Sequence, residues 1–153
     1  MRIVILLLLV ALLAGCGFRL PAAPPSLPAP TPDSVAAFRV AYAALDADFV
    51  RLKAQLDNAQ YADPDWRAET VRIAERWRAD TAAIRAIPQP SGAQWAQAWP
   101  LLLEAMDELD YIAGATENAA RQQQPALLLP TTERMANALN LLTEALRLVG
   151  GDW

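Results

Sequence analysis

Hydrophobic residues recur at alternating steps of three and four along most of the chain after residue 31. The first run consists of Val35, Phe38, Tyr42, Leu45, Phe49, Leu52 and Leu56. Such spacing places one apolar stripe along an α-helix. Thr31-Pro32 precedes the run and supplies an N-cap residue followed by proline at the first helical position. The pattern therefore predicts a first helix over about residues 32–59.

The same kind of pattern predicts a second helix over about residues 64–87. Asp63-Pro64 repeats the start motif, and Pro88 ends the segment because the residue before a proline disfavours helical backbone. The predicted stripe consists of Trp66, Thr70, Ile73, Trp77, Thr81, Ile84 and Ile87.

A third helix begins near Ser91, which resembles a capping box with Gln94. Pro100 lies inside this helix and removes one backbone hydrogen bond, so we expect a kink there. Its stripe consists of Trp95, Trp99, Leu102, Met106, Leu109, Ala113, Thr116 and Ala120.

An apolar connector, residues 125–130, follows the third helix, and we expect it to fold over the core. The fourth helix is predicted over about 131–149 and ends at Gly150-Gly151. Its stripe consists of Met135, Leu139, Leu142, Leu146 and Val149.

These four helices imply an all-α fold. No segment alternates apolar and polar residues as a half-buried strand does. Short connections between amphipathic helices favour antiparallel neighbours, so we expect residues 32–153 to form an up-down-up-down four-helix bundle.

The N-terminal segment has a different pattern. Met1-Arg2 is followed by twelve apolar residues, Ile3 to Ala14. A membrane-spanning helix needs about 20 residues, whereas one basic residue and a short apolar core are typical of a secretory signal peptide. The segment ends in Leu13-Ala14-Gly15-Cys16, which resembles the lipobox of bacterial lipoproteins.

The resemblance implies cleavage after residue 15 and a diacylglycerol on Cys16, which becomes the first residue of the mature chain. It also implies an extracytoplasmic protein anchored to a membrane by lipid. In a cell with two membranes, a glycine after the cysteine, here Gly17, implies sorting to the periplasmic face of the outer membrane. In a cell with one membrane, the resemblance implies the outer face of that membrane.

A proline-rich tether follows the lipobox. Residues 16–31 contain Pro21, Pro24, Pro25, Pro28 and Pro30 among Ala, Ser and Leu residues. This composition favours extended polyproline II and cannot form a packed core. The expected organisation is a signal peptide over 1–15, a lipidated tether over 16–31 and a helical domain over 32–153.

Composition restricts the chemistry that this chain can perform. It has no histidine, a single cysteine and a net charge of −4. Soft metals and haem lack their usual ligands, and an acidic chain is a poor match for nucleic acid. Lys53, the only lysine, lies off the first stripe, so it lacks the burial of a Schiff-base lysine. We expect no enzyme activity, no cofactor and no metal.

Carboxylates crowd the third helix, where Glu104, Asp107, Glu108 and Asp110 fall within two turns. We interpret them as a solvated face that pairs with arginines of the second helix. Asp110 and Glu117 lie close to the centre of the third stripe, where a partly buried carboxylate needs a partner. Arg134 is the expected ion-pair partner of Glu117, and contact with a ligand is the alternative.

Aromatic residues supply the candidate functional site. Rough levelling of the helices gathers six rings near the tether, where the fourth helix is too short to cover them: Phe38, Tyr42, Trp77, Trp95, Trp99 and Trp153. They form either a closed core with Trp153 as a plug or a groove for an apolar ligand or partner helix.

Two functions agree with these patterns. The first is a non-enzymatic, membrane-anchored lipoprotein that acts through contacts with an unidentified protein partner, as an interaction or accessory module. The second is a carrier or sensor that binds an apolar or amphipathic small molecule at the aromatic end.

Overall fold

A computed structural model describes residues 32–150, with side chains from Ser34 onward, and this part of the chain is all helical. The all-α prediction is confirmed. The helices are α1 (Pro32–Asp57), α2 (Pro64–Ala86), α3 (Ala93–Gln122) and α4 (Thr131–Leu148), with a short 3₁₀ helix, η1 (Pro125–Leu128), before α4. Over the described range no strand is formed.

The start of α2 follows its sequence signature, and the start of α3 does not. The Asp63 carboxylate accepts a hydrogen bond from the Asp65 backbone N–H at 2.8 Å. At α3 the predicted capping box of Ser91 and Gln94 is wrong, because Gly92 is the N-cap residue and no side chain caps it. Gly92 has a φ of +120°, a conformation that glycine adopts without a steric penalty.

The core lies chiefly on α2 and α3. The α3 stripe is buried as predicted, from Trp95 to Ala120. A second stripe on α3 is buried as well, and it was not predicted: Ala98, Ala105, Ile112 and Ala119. The reason is that α3 packs against both α2 and α4, and also against η1. Small alanine side chains let these helices approach closely.

The stripes of α1 and α4 are only partly buried. In α1, every second member (Phe38, Leu45, Leu52) is buried, whereas the members between them are half-exposed. In α4 the predicted stripe is displaced, because Ala138 and Ala145 are buried while Leu139 is 46% exposed. Among the described residues, the backbones of α1 and α4 approach closely at no more than isolated points. The edge between these two helices is therefore open.

The connector before α4 covers the core only in part. Leu127 and Leu128 are half-buried, whereas Leu129 is 78% exposed. No residue of η1 is buried. The expectation that this segment closes over the core is therefore wrong for most of its apolar residues.

Reciprocal hydrogen bonds join the end of α1 to the start of α2. Trp66 Nε1 donates to the Gln55 carbonyl at 3.0 Å, and Gln55 Nε2 donates to the Trp66 carbonyl at 3.2 Å. Arg67 donates to the carbonyls of Tyr61 and Ala62 in the connecting turn. These bonds fix the register of α1 against α2.

Arginines of α2 pair with carboxylates of α3, as the charge pattern predicted. Arg85 lies 2.8 Å from Asp107, and Arg78 lies 3.3 Å from Asp110. Glu117, however, pairs with Arg121 at 2.8 Å and Arg78 at 3.6 Å. The expected Glu117–Arg134 pair is therefore wrong.

Arg134 binds a different carboxylate of α3. It donates to Glu108 at 2.7 Å and lies over the Tyr111 ring at 4.0 Å. The hydrogen bond from Arg134 offsets a small effect of burial and lowers the pKa of Glu108. Arg134 therefore lies beside Glu108 and Tyr111, nearer the start of α3 than the position beside Glu117 that the sequence predicted.

Asp48 is a buried carboxylate that the sequence pattern did not single out. Its side chain is 6% exposed and accepts hydrogen bonds from Arg51 at 2.8 Å and Arg76 at 3.1 Å. Burial raises the pKa of Asp48, but the hydrogen bonds and charges of Arg76 and Arg51 outweigh it, so the pKa is lowered. The ion pair between Asp48 and Arg76 links α1 to α2.

Asp48→Asn is expected to lower the free energy of unfolding at pH 7 by about 1–3 kcal/mol, because it removes charge-assisted bonds at a buried site. Since the folded pKa lies below that of the unfolded chain, this stabilisation is present above about pH 4 and is lost as the pH falls through the folded value. Urea denaturation at several pH values measures it.

The matched control is Asp57→Asn. The pair of Asp57 with Lys53 is exposed at both side chains, so this change should cost less than about 0.5 kcal/mol. An equal loss in the two variants, or a loss in Asp48→Asn that does not shrink at acidic pH, would contradict the role of Asp48.

Candidate functional site

Four of the six predicted aromatic residues lie together at one end of the domain. Phe38 meets Trp95 edge-on with ring centroids 5.5 Å apart, and meets Trp99 in the same manner at 6.1 Å. Tyr42 stacks on Phe38 at 5.8 Å. Phe38, Trp95 and Trp99 are each at most 7% exposed. These rings form a packed core that offers little surface to a ligand.

The other two predicted residues do not take part in these ring contacts. Trp77 contacts Phe49 at 5.9 Å between ring centroids and lines a hollow together with Tyr42. Trp153 lies outside the described residues, so its role as plug or lid stays a prediction.

Two adjacent hollows follow the open edge between α1 and α4. The smaller one has a volume of about 70 Å³ and lies between Tyr42 and Asp46 of α1 and Leu139 and Leu142 of α4. Together with the larger one described next, it forms a feature that we call the α1/α4 groove. Its lining side chains are almost all apolar.

The larger hollow has a volume of about 550 Å³, within the range of small-molecule sites. It lies between the C-terminal half of α1 and the first turn of α4. Three residues line both hollows: Phe49, Trp77 and Met135. The polar residues of the larger hollow are Lys53, Asp57, Thr116, Thr131 and Thr132.

The floor of the groove comes from the helices of the core. Trp77 of α2 and Leu109, Ile112 and Thr116 of α3 contribute to it. The Thr116 hydroxyl donates to the Ile112 carbonyl at 2.9 Å. Because the Ile112 carbonyl already accepts the hydrogen bond of the Thr116 hydroxyl, the floor presents a mainly hydrocarbon surface.

Trp77, whose side chain contributes to the lining of the groove, also has a buried polar atom whose bonding is incomplete. The side chain is 1% exposed, and its indole Nε1 is buried with no hydrogen-bond partner. Within residues 34–150 no other buried side-chain nitrogen or oxygen lacks a partner. An indole N–H can only donate, and leaving a buried donor unmet costs about 1–3 kcal/mol.

Charges at the groove lie at its edges. Burial raises the pKa of the Tyr42 phenol, and the negative charge of Asp46 raises it further, so Tyr42 stays neutral at ordinary pH. Lys53 is paired with Asp57, and both side chains are more than half exposed. The groove therefore has a neutral interior and a charged, solvated rim.

The interior of the groove holds few polar groups. They are the buried indole of Trp77 and the satisfied hydroxyl of Thr116, and these two do not form a nucleophile–base pair. In the described part of the chain, no three His, Cys, Asp or Glu side chains are grouped so as to hold a metal ion.

Sequence reasoning placed Tyr42 and Trp77 in the candidate site but missed the groove that they line. The sequence shows the spacing of the α1 residues of the groove but not what covers them. Tyr42, Phe49 and Leu56 recur every seven residues, and all three line the groove. One half of a heptad stripe can thus face the core while the other half faces an open edge.

Comparison of the chain with protein-family models, with curated proteins and with solved structures finds no match. Among the described helices, none is both long and apolar enough to cross a bilayer.

Proposed function

We propose that this chain is a non-enzymatic lipoprotein whose helical domain binds an apolar or amphipathic small molecule in the α1/α4 groove. One observation carries the proposal: a largely apolar hollow of about 550 Å³, lined in part by the buried Trp77 side chain, lies between α1 and α4. Binding sites for small molecules combine an apolar lining with a few placed polar groups, and this groove has that composition.

The proposed anchor is Cys16. The lipobox resemblance of residues 13–16 supports cleavage after Gly15 and attachment of diacylglycerol to the Cys16 thiol. The mature chain would then be held at an extracytoplasmic membrane face by its acyl chains. Residues 17–31, extended at about 3.1 Å per residue, would let the domain stand off by roughly 45 Å.

The proposed arrangement of the helices is an antiparallel, up-down-up-down bundle. Ion pairs between α2 and α3 support it, because their residue numbers run in opposite directions: Glu75 with Arg121, Arg78 with Glu117 and Arg85 with Asp107. The reciprocal hydrogen bonds between Gln55 and Trp66 support antiparallel packing of α1 and α2 as well.

Binding is tested with the neutral dye N-phenyl-1-naphthylamine and the domain of residues 32–153. We expect Met135→Glu to weaken dye affinity at least about tenfold, because a buried charge then opposes an apolar ligand. Met135 lines both hollows and is half-buried. Fluorescence titration measures the affinity.

Ala136→Glu is the control, since it adds the same charge at an exposed neighbour on α4. It should leave dye affinity within about twofold of that of the native domain. Absence of saturable dye binding to the native domain, or equal loss in both variants, would contradict groove binding.

A protein-interaction module is the second candidate function, and a feature of α1 favours it. An Ala/Val stripe on this helix is exposed along its length at steps of four and three: Ala36, Val40, Ala43, Ala47, Val50 and Ala54. Small side chains at such spacing let a second helix approach closely. A crosslinked species of the anchored protein that is lost in Val40→Asp and kept in Met135→Glu would support this role.

A further inference from the structure

We propose that the tether folds back along α1 and occupies the α1/α4 groove as a polyproline II helix. The open edge between α1 and α4 is then covered by a segment of the same chain, residues 18–30, which lies outside the described residues. Docking of the tether does not require the proposed small-molecule ligand. Its effect on the access of that ligand rests on the proposed function, because tether and ligand would occupy the same space.

The sequence of the tether gives a polyproline II helix one continuous apolar face. This helix has three residues per turn, so every third residue lies on the same face. On one such face each position is bulky and apolar: Phe18, Pro21, Pro24, Leu27 and Pro30. The two other faces are interrupted by a charged, a polar or a small residue: Arg19, Ala22, Ala23, Ser26 and Ala29. The first face is therefore the one suited to an apolar surface.

The groove has the kind of lining that proline-rich segments bind. Such segments dock in grooves lined by aromatic side chains, and their preformed helix loses little conformational entropy on binding. Three aromatic side chains line the smaller hollow: Tyr42, Phe49 and Trp77. Met135 and Leu139 continue the apolar lining on the α4 side. The lining therefore matches the apolar face of the tether in chemistry.

The groove residues of α1 have nearly the same spacing as the apolar face of the tether. Tyr42, Phe49 and Leu56 are seven residues apart and line the groove. Seven residues of an α-helix rise about 10.5 Å, and three residues of polyproline II rise about 9.3 Å. Successive side chains of the apolar face can therefore meet successive members of this row.

The length of the tether sets the register. Both segments start at Pro32, the first residue of α1, so their levels can be compared from that point. Leu27 of the tether and Tyr42 of α1 each lie about 15 Å from it along their helices. Pro24 and Phe49 each lie about 25 Å from it. A tether that reverses direction just before α1 therefore brings its apolar face level with the aromatic lining of the groove.

Charge at the rim favours the same register. The charged residues that line the groove are Asp46, Asp57 and Lys53, so the net charge of the rim is negative even though Lys53 pairs with Asp57. Arg19 is the only charged residue of the tether. In the docked register it lies about 40 Å from Pro32, close to the level of Asp57 at about 38 Å. Docking therefore places the positive charge of the tether at the acidic rim.

Docking also changes where the membrane anchor lies. Along a docked tether Cys16 is about 50 Å from Pro32, just beyond the C-terminal end of α1, where the larger hollow lies. A docked tether therefore covers the groove and holds this end of the domain near the bilayer. An undocked, extended tether exposes the groove and lets the domain stand off.

Photocrosslinking within the full chain in membrane vesicles tests the docking. The photoreactive residue p-benzoylphenylalanine is placed at Pro24, on the apolar face, and in a matched chain at Pro25, its neighbour on another face. We expect the probe at Pro24 to crosslink to residues 42–56 and 135–142 of its own chain. The yield should be at least about fivefold higher than from Pro25, because adjacent positions of polyproline II lie about 120° apart.

A groove variant supplies a second measurement. Met135→Glu puts a charge where the apolar face of the tether would lie, so it should lower crosslinking from position 24 at least about fivefold. Ala136→Glu adds the same charge at an exposed neighbour and should leave the yield within about twofold. Mixing unlabelled chains with ¹⁵N-labelled chains identifies any crosslink between two copies.

Docking of the tether and binding of a ligand can fail separately. Equal crosslinking from positions 24 and 25, or crosslinks that Met135→Glu leaves unchanged, would overturn the docking. Crosslinks between ¹⁵N-labelled and unlabelled chains would indicate a second copy in the groove and would overturn it as well. Saturable dye binding to residues 32–153 without the expected crosslinks would overturn the docking alone. The expected crosslinks without dye binding would support the docking and overturn the proposed ligand.

Discussion

Phe38→Ala is expected to lower the free energy of unfolding of the helical domain by about 3–5 kcal/mol, as large-to-small changes of buried aromatics do. Phe38 is fully buried and meets both Trp95 and Trp99 edge-on, so its removal leaves a cavity that rigid indole rings cannot fill. Urea denaturation of residues 32–153, followed by circular dichroism, measures the loss.

Val40→Ala is the matched control on the same helix. Val40 is 73% exposed, so its truncation should change stability by less than about 0.5 kcal/mol. A loss below about 1 kcal/mol for Phe38→Ala would mean that the aromatic end is open and deformable. Of the two predicted roles of this end, a closed core or a groove, that result would favour the groove.

Cys16→Ser is expected to abolish acylation and to move the protein out of the membrane fraction almost completely. A serine hydroxyl does not replace the thiol that receives the diacylglycerol in the lipobox family. Each acyl CH₂ buried in the bilayer contributes about 0.8 kcal/mol, so under the proposed anchoring the loss of the chains would remove the dominant membrane affinity. Metabolic labelling with a fatty-acid analogue, combined with fractionation, measures both effects.

Ser26→Ala in the tether is the control for Cys16→Ser, since it changes a small polar residue without touching the lipobox. It should be labelled and fractionated as the native chain is. Unchanged labelling of Cys16→Ser would refute the lipid anchor. The role of the N-terminal segment would then need another explanation.

Helix positions could be predicted because each helix carries a periodic stripe, and the first two also carry a start signal. Asp63-Pro64 and Pro88 bracket α2, and its stripe from Trp66 to Ile84 is buried throughout. The α3 start was misplaced because Ser91 has the right side chain for a cap, whereas the positive φ of Gly92 puts the N-cap one residue later. Propensity for a cap does not decide which backbone conformation the turn adopts.

The groove could not be predicted, because periodicity shows which residues are apolar and not what covers them. Val35, Tyr42, Phe49 and Leu56 have the same spacing as their buried neighbours on α1, and only the open edge beside α4 distinguishes them. Burial of Asp48 depends likewise on where Arg76 of another helix lies. Both features arise from tertiary packing.

Trp77 was grouped with Phe38 because a rough levelling separates the two ends of the domain and not single turns. In the structure Trp77 contacts Phe49, and both side chains line the α1/α4 groove. Which ring of α1 meets Trp77 depends on tertiary packing.

Peptide mapping after photolabelling tests groove binding most directly. A dodecanoylglycerol with a diazirine on its chain is added to the full chain in membrane vesicles, irradiated and traced by mass spectrometry. We expect labels within residues 45–57 and 128–142, and their loss in Met135→Glu. Labels centred on the Phe38, Trp95 and Trp99 cluster, or the same labels in Met135→Glu, would contradict groove binding.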